Sequence, residues 1–405
     1  MDVRIDPVGL DDYERWIRAT ETAFGTRITE AQLERWRTLF DPDRTLAAFE
    51  GNRIVGTTGT NIMRLTIPGA AIDMAGVVAV GVLPTHRRRG ILREMMIRQL
   101  TDSHDAGHAL AGLWASESAI YGRFGYGSAA PTAELEIERA HARFRSEPEP
   151  TGEIELVDKE RATQVVPDVY ERIRPTRVGF YEFTAARWRA QLEELEEFGE
   201  GDATLFIAVH ETDGTPDGFA AYRLKRDWSG GVAHGTNTVR ALLATDPGAE
   251  FDLWRFCLGI DLMAKVVAWP CAVDVPLWLR LADPRRLQVR FQDGLWLRFL
   301  DVPAALEARR YRGTGKLLIA LRDDVCDWVA GCYELEAGPD GATCRRSSGE
   351  PDLALESRDL AATYLGAVRF ATLARAGLVQ GEPDAVRRAD AMFAWDPVAF
   401  CPFVF

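Results

Sequence analysis

Residues 74–100, MAGVVAVGVLPTHRRRGILREMMIRQL, constrain the fold more than any other stretch of the chain. Met74 to Val82 is short, nearly uncharged and rich in Val, which suits a strand covered on both faces. Pro84 and Thr85 end it. His86 to Gly90 then puts three arginines and a glycine where the next helix begins. Ile91, Leu92, Met95, Met96 and Leu100 recur at helical spacing, with Arg93, Glu94 and Arg98 between them. A helix start presents unpaired N–H groups and the positive end of a dipole. With Arg87, Arg88 and Arg89 added, it suits an anion, most naturally a pyrophosphate, and Gly90 lets phosphate oxygens approach the backbone. The same residues also read as a plain solvated basic turn. The stretch is neither a Walker loop nor the dinucleotide GxGxxG.

The 405 residues suffice for two to four domains with their own cores. No apolar run approaches the roughly 18 residues of a membrane span, and residues 1–16 lack the pattern of a secretory signal. A cytoplasmic protein without a membrane span is therefore expected. The six cysteines form no CxxC pair and read as free thiols. A net charge of -13 argues against general nucleic-acid binding and is compatible with cationic substrates. His104-Asp105-Ala106-Gly107-His108 lacks the glutamate of a zinc HExxH, so no metal is expected.

Residues 1–40 read as one or two helices. Strands follow at 46–49, 54–60 and 61–67, the first two joined by a Gly51-Asn52 turn. The 74–82 strand and its helix come next, then a strand at 109–114. After it stands Ser116-Glu117-Ser118-Ala119-Ile120-Tyr121-Gly122-Arg123-Phe124-Gly125-Tyr126-Gly127. A Gly-rich turn with aromatic anchors is one reading. A catalytic tyrosine is the other, since a phenol with pKa near ~10 can protonate a leaving thiolate.

Arg87-x-x-Gly90-x-Leu92 resembles the acetyl-coenzyme A loop of the GNAT acetyltransferases, R/Q-x-x-G-x-G/A, with Leu92 in place of a small residue. Together, HRRRG-Ile91-Leu92 and SExxIYGRFGYG resemble the enhanced intracellular survival (Eis) family of multi-domain GNAT proteins. The resemblance implies acetyl-CoA as acyl donor. It implies pantetheine bound along Val80, Gly81 and Val82, and pyrophosphate bound by Arg88, Arg89, Gly90, Ile91, Leu92 and Arg93. Ser116 and Glu117 match a second coenzyme contact, and Tyr121 the general acid, with Tyr126 a packing residue or runner-up. Phe24 and Trp36 fall in the helical region that covers the acceptor pocket in such folds, where aromatics hold a cation or simply pack.

Beyond a Pro/Glu-rich transition near 145–150, element order repeats in outline. Helices near 162–173 and 185–198, a hairpin at 205–224 and a strand at 238–243 lead to Thr245-Asp246-Pro247-Gly248-Ala249-Glu250. Asp246 and Glu250 stand where the first unit has arginines. Such a start caps a helix but repels a pyrophosphate. Glu193, Glu194, Glu196 and Glu197 read as a solvated helix face. After 284 come a strand at 293–299, a helix at 304–311, four strands arranged as a meander and two helical segments. The family carries a sterol-carrier-like domain here, and its aromatic tail places the last residue's carboxylate, here Phe405, as general base.

The expectation is thus an α/β (α+β) chain of tandem GNAT-like domains and a sterol-carrier-like domain. The stretches are 1–147, catalytic; 148–290, without a working coenzyme site; and 291–405. The expected activity is direct acetyl transfer to primary amines of the aminoglycoside, polyamine or lysine type, by a homo-oligomer that the resemblance makes a hexamer. The alternative is a non-catalytic scaffold holding an apolar ligand in its C-terminal domain.

Overall fold

The computed structural model describes residues 3–197 and 204–405, except the side chains of residues 194–197. Of the four glutamates expected on a solvated face, Glu194, Glu196 and Glu197 therefore lie outside the described side chains, and Glu193 is half-buried. The chain divides into two compact units. The first comprises residues up to Ala130, Gly294–Asp396 and Phe405; the second comprises Pro131–Asp293 and Pro397–Val404. The C-terminal stretch thus groups with the first unit by compactness, apart from most of the tail.

The first unit opens with a strand, β1 (Val3–Pro7), where a helix was expected. It pairs antiparallel with β2 (Thr45–Glu50), so sheet pairing, and not local propensity, decides this segment. Between them lie α1 (Tyr13–Ala23) and α2 (Glu30–Leu39). Helix α1 buries Tyr13, Trp16, Ile17, Thr20 and Ala23, one face at helical spacing, and Trp16 Nε1 donates to the Leu46 carbonyl at 3.0 Å. Removing the Trp16 side chain would cost about 3–5 kcal/mol. A reciprocal capping box of Thr29 and Gln32 starts α2.

The two strands expected at 54–60 and 61–67 are one, β3 (Arg53–Ile67), because Asn61 stays paired with Gly76. Its partner β4 (Ala70–Val82) begins before Met74 and leads into α3 (Ile91–Asp105) and β5 (Leu110–Trp114). The parallel pairing of β4 with β5 covers only residues 74–76 against 110–112. Beyond Gly76, β4 runs on to Val82 without β5 beside it. Residues 295–299 then pair antiparallel with β5 and carry the chain into the C-terminal module.

That module is not a simple meander. Leu353–Glu356 inserts parallel to Gly315–Arg322, giving a five-stranded sheet in the order 341–346, 331–338, 315–322, 353–356, 379–381. Its interior holds the fully buried Arg309, stacked on Tyr311 (4.6 Å) and Phe393 (4.7 Å). The guanidinium donates to the carbonyls of Tyr364 and Phe393, at the C-terminal ends of two helices, where the dipole is negative. Burial still pulls its pKa below the usual arginine value.

In the second unit the strand order is 153–157, 204–212, 215–225, 235–244, 263–271 and the part of 127–138 from Pro131 on. Gly235–Ala244 and Met263–Cys271 are its parallel pair, joined through the helix Pro247–Gly259. Their pairing stops at Val239 and Ala268.

Candidate active site

Where β4 outruns β5 it carries a bulge. Ala79 takes φ 55°, and the β3–β4 register shifts between Thr57 and Gly59. Thr57 Oγ1 donates to the Ala79 carbonyl at 2.9 Å and fixes the bulge. Val80, Gly81 and Val82 follow, half-buried, with no β5 strand paired beside them. Gly81 lies so close to Ala23 that an added Cβ would stand 2.7 Å from the Ala23 methyl.

After the turn, Gly90 is the N-cap of α3 in the left-handed region (φ 87°), and no side chain caps the helix. The Glu94 amide reaches the Gly90 carbonyl at 3.1 Å, so the amides of Ile91, Leu92 and Arg93 are left without intrahelical partners. These residues line a cleft of about 520 Å³ together with residues 80–82, Phe24, Arg87, Arg88, Ser116, Glu117, Tyr121 and Arg123. The donors and guanidinium groups at its mouth suit the phosphates of a coenzyme.

Tyr121 closes the other wall. It is 4 % exposed and ends a single helical turn, Ser118–Tyr121. Burial raises its pKa, and Glu117 adds to this, while a hydrogen bond with Ser116 opposes it. The phenol therefore keeps its proton through neutral pH. Tyr126 packs edge-on against it at 6.1 Å, fully buried and outside the cleft lining, with its hydroxyl unpartnered.

Two expected residues lie elsewhere. Arg89 is not among the cleft residues; it donates to the Thr85 carbonyl at 3.1 Å and faces Glu50 at 3.7 Å. Trp36 packs against Phe40 at 5.0 Å, in the cluster around Trp16. Phe24 does line the cleft and is 52 % exposed. His86 and Arg87 both reach the cleft lining, Arg87 as one of the three arginines expected at the anion site. His86 is buried, with its ring nitrogens 2.8 Å from Thr85 Oγ1 and 3.1 Å from Glu50 Oε2. That contact, with nearby Arg89, holds Glu50 below the usual carboxylate range. Arg87 donates to the carbonyls of Val82 (3.3 Å) and Ala23 (3.2 Å), tying the turn to β4 and α1. Its place at the head of the R-x-x-G motif is the signal that marks it in the sequence. Phe405 belongs to the unit that holds this cleft.

The model of an acetyltransferase (GNAT) domain matches residues 4–129, a second GNAT model residues 179–299, and a sterol carrier protein domain residues 302–402. An N-acetyltransferase Eis of Mycobacterium tuberculosis is 34% identical over 398 residues, covering 95% of each chain. This chain belongs to the Eis family of GNAT N-acetyltransferases. An uncharacterized N-acetyltransferase of Streptomyces avermitilis is 38% identical over 411 residues, 98% of this chain and 99% of the relative. The crystal structure of Eis1 from Mycobacterium abscessus superposes with a TM-score of 0.86 at 31% identity, covering both chains fully. Like other Eis-family chains, this one is an acyl-CoA N-acetyltransferase whose acyl donor is acetyl-CoA. Among the described residues, no helix is long and apolar enough to cross a membrane.

Proposed function

We propose that the acceptor is a primary amine of the aminoglycoside, polyamine or lysine type, acetylated directly in the first unit's cleft. What carries the reading is that Tyr121, a buried phenol that keeps its proton, lines the same cleft as the uncapped start of α3. Arg87, Arg88 and the amides of residues 91–93 bind the pyrophosphate. The backbone of residues 80–82 aligns the pantetheine, and Ser116 and Glu117 flank it. The Phe405 carboxylate, directly or through a water, takes a proton from the bound ammonium, and the neutral amine it leaves attacks the thioester. As the C–N bond forms and the C–S bond breaks, Tyr121 passes its hydroxyl proton to the thiolate, and the second proton shed by the acylated nitrogen returns through water to the phenolate. Phe24, exposed at the cleft, offers a ring face to a cationic acceptor.

The test is release of free thiol across an amine panel. Tyr121→Phe should lower kcat by about 10²–10⁴-fold with KM for acetyl-CoA nearly kept; unchanged kcat removes Tyr121 from the mechanism. Because burial raises its pKa, the alkaline limb of kcat that Tyr121 controls should lie above the usual phenol value of about 10. A chain extended past Phe405 should be impaired, and full activity there would sink the carboxylate base. We also propose the hexamer and the cytoplasmic location that the family resemblance implies; sedimentation at working concentration checks the first. The buried Arg309 inside the C-terminal module favours a structural role for it over carriage of an apolar ligand.

A further inference from the structure

The turn that follows Tyr121 rests on a buried ion pair that the reaction does not use. Arg298 is fully buried. Its Nη1 and Nη2 meet the Asp323 carboxylate at 2.6 and 2.9 Å, two contacts in the fork geometry of a bidentate pair. Nη1 also donates to Ser357 Oγ at 3.1 Å. Asp323 is itself held by the amides of Val325 (3.1 Å) and Cys326 (2.8 Å). These contacts fix the plane of the guanidinium.

Its flat face lies against the backbone of the tyrosine motif. Gly125 sits at φ 80°, and a Cβ there would stand 2.6 Å from Arg298 Cζ and 2.7 Å from its Nε. The Tyr126 amide donates back to the Tyr121 carbonyl at 3.3 Å and closes the turn. At Gly127 a Cβ would fall 1.9 Å from the Arg358 carbonyl oxygen, at the start of the helix Ser357–Thr363. Gly125 and Gly127 are thus spaces for two pieces of the C-terminal module. One is a guanidinium plate and the other a helix start. Both press on the segment that leaves Tyr121.

We infer that Arg298, clamped by Asp323 and Ser357, is a positioning residue for Tyr121: it holds the 122–127 turn so that the phenol stays in the cleft. This rests on the reading of Tyr121 as general acid. It also gives the C-terminal module a part in catalysis without touching substrate. Arg298 lies beneath the turn and is not among the cleft residues, so the coenzyme's phosphates do not depend on it.

The experiment measures kcat, KM for acetyl-CoA and melting temperature for Arg298→Lys and Arg298→Met, each alone and with Tyr121→Phe. Arg298→Lys keeps a charge for Asp323 but loses the fork and the plate against Gly125. The expected result is a fall in kcat of about tenfold to hundredfold for Arg298→Lys, as for a small misplacement of a reacting group, with KM for acetyl-CoA kept. In the Tyr121→Phe background the same substitution should change kcat by no more than about twofold, because its effect runs through the missing hydroxyl. A loss of stability alone would lower active protein equally in both backgrounds. An equal fall in both, or an unchanged kcat in folded Arg298→Lys, overturns the inference. If Arg298→Met does not fold, the lysine variant carries the test. A Tyr121→Phe enzyme with full turnover would instead remove the general acid, and this inference with it.

Discussion

The two GNAT units build the same strand, turn and helix and put opposite chemistry at the turn. In the first, Gly90 leaves the start of α3 uncapped, and Arg87 and Arg88 line the cleft in front of it. In the second, Asp246 caps its own helix: its Oδ1 accepts from the amides of Gly248 at 2.8 Å and Ala249 at 3.2 Å. Pro247 has no amide to offer, and Glu250 follows in the first turn. Burial raises the Glu250 pKa. The parallel strands part in both units, but what lies in the gap differs. Beside β4 there is a cleft of about 520 Å³. In the second unit a cavity of about 130 Å³ remains, lined in part by Phe400 of the tail. The Phe400 amide donates to the Val178 carbonyl at 2.9 Å, and Phe403 packs on Phe183 and Trp188. The same scaffold thus leaves an open cleft where its helix amides are free, and takes its own chain where they are capped.

This contrast can be broken from either side. Reversing two charges, Arg87→Glu with Arg88→Glu, should weaken acetyl-CoA binding by about 10²-fold or more, since each charge-assisted contact is worth roughly 1.5–3 kcal/mol. Titration calorimetry reads it, and retained affinity would show that the arginines are only a solvated turn. Asp246→Ala should cost about 1 kcal/mol of stability through the lost cap, seen in a denaturant midpoint, with acetyl-CoA affinity unchanged. The smallest effect concerns Glu250. Its raised pKa means the folded unit prefers the protonated acid, so its contribution to stability is present below the unfolded value of about 4.3 and is lost as pH rises through the folded one. Glu250→Gln should therefore raise the melting temperature at pH ~7 and not at pH ~4. Equal shifts at both would detach it from titration.

The strand–turn–helix of the first unit was legible because its period, its proline stop and its arginines are local. So was the acidic counterpart at Asp246. The long glycine-rich motif also singled out a tyrosine that lines the cleft, Tyr121. What stayed hidden depends on partners distant in sequence. Val3–Pro7 is a strand only because Thr45–Glu50 lies beside it. Arg89 reads like Arg88 along the chain, yet Glu50 and the Thr85 carbonyl draw it away from the cleft. Trp36 packs instead, partly buried, against the cluster around Trp16. Arg298 looks like one more strand residue until Asp323, far along the chain, is found against it. The parallel insertion of Leu353–Glu356 is a matter of topology that alternation cannot report.

The central claim is that one of the two helix starts binds coenzyme. Calorimetric titration of the intact chain with acetyl-CoA tests it most directly. The account predicts a stoichiometry of one per chain, abolished at the same concentrations by Arg87→Glu with Arg88→Glu and left at one by Asp246→Ala. Two sites per chain, or one site that survives the arginine reversals, would contradict it.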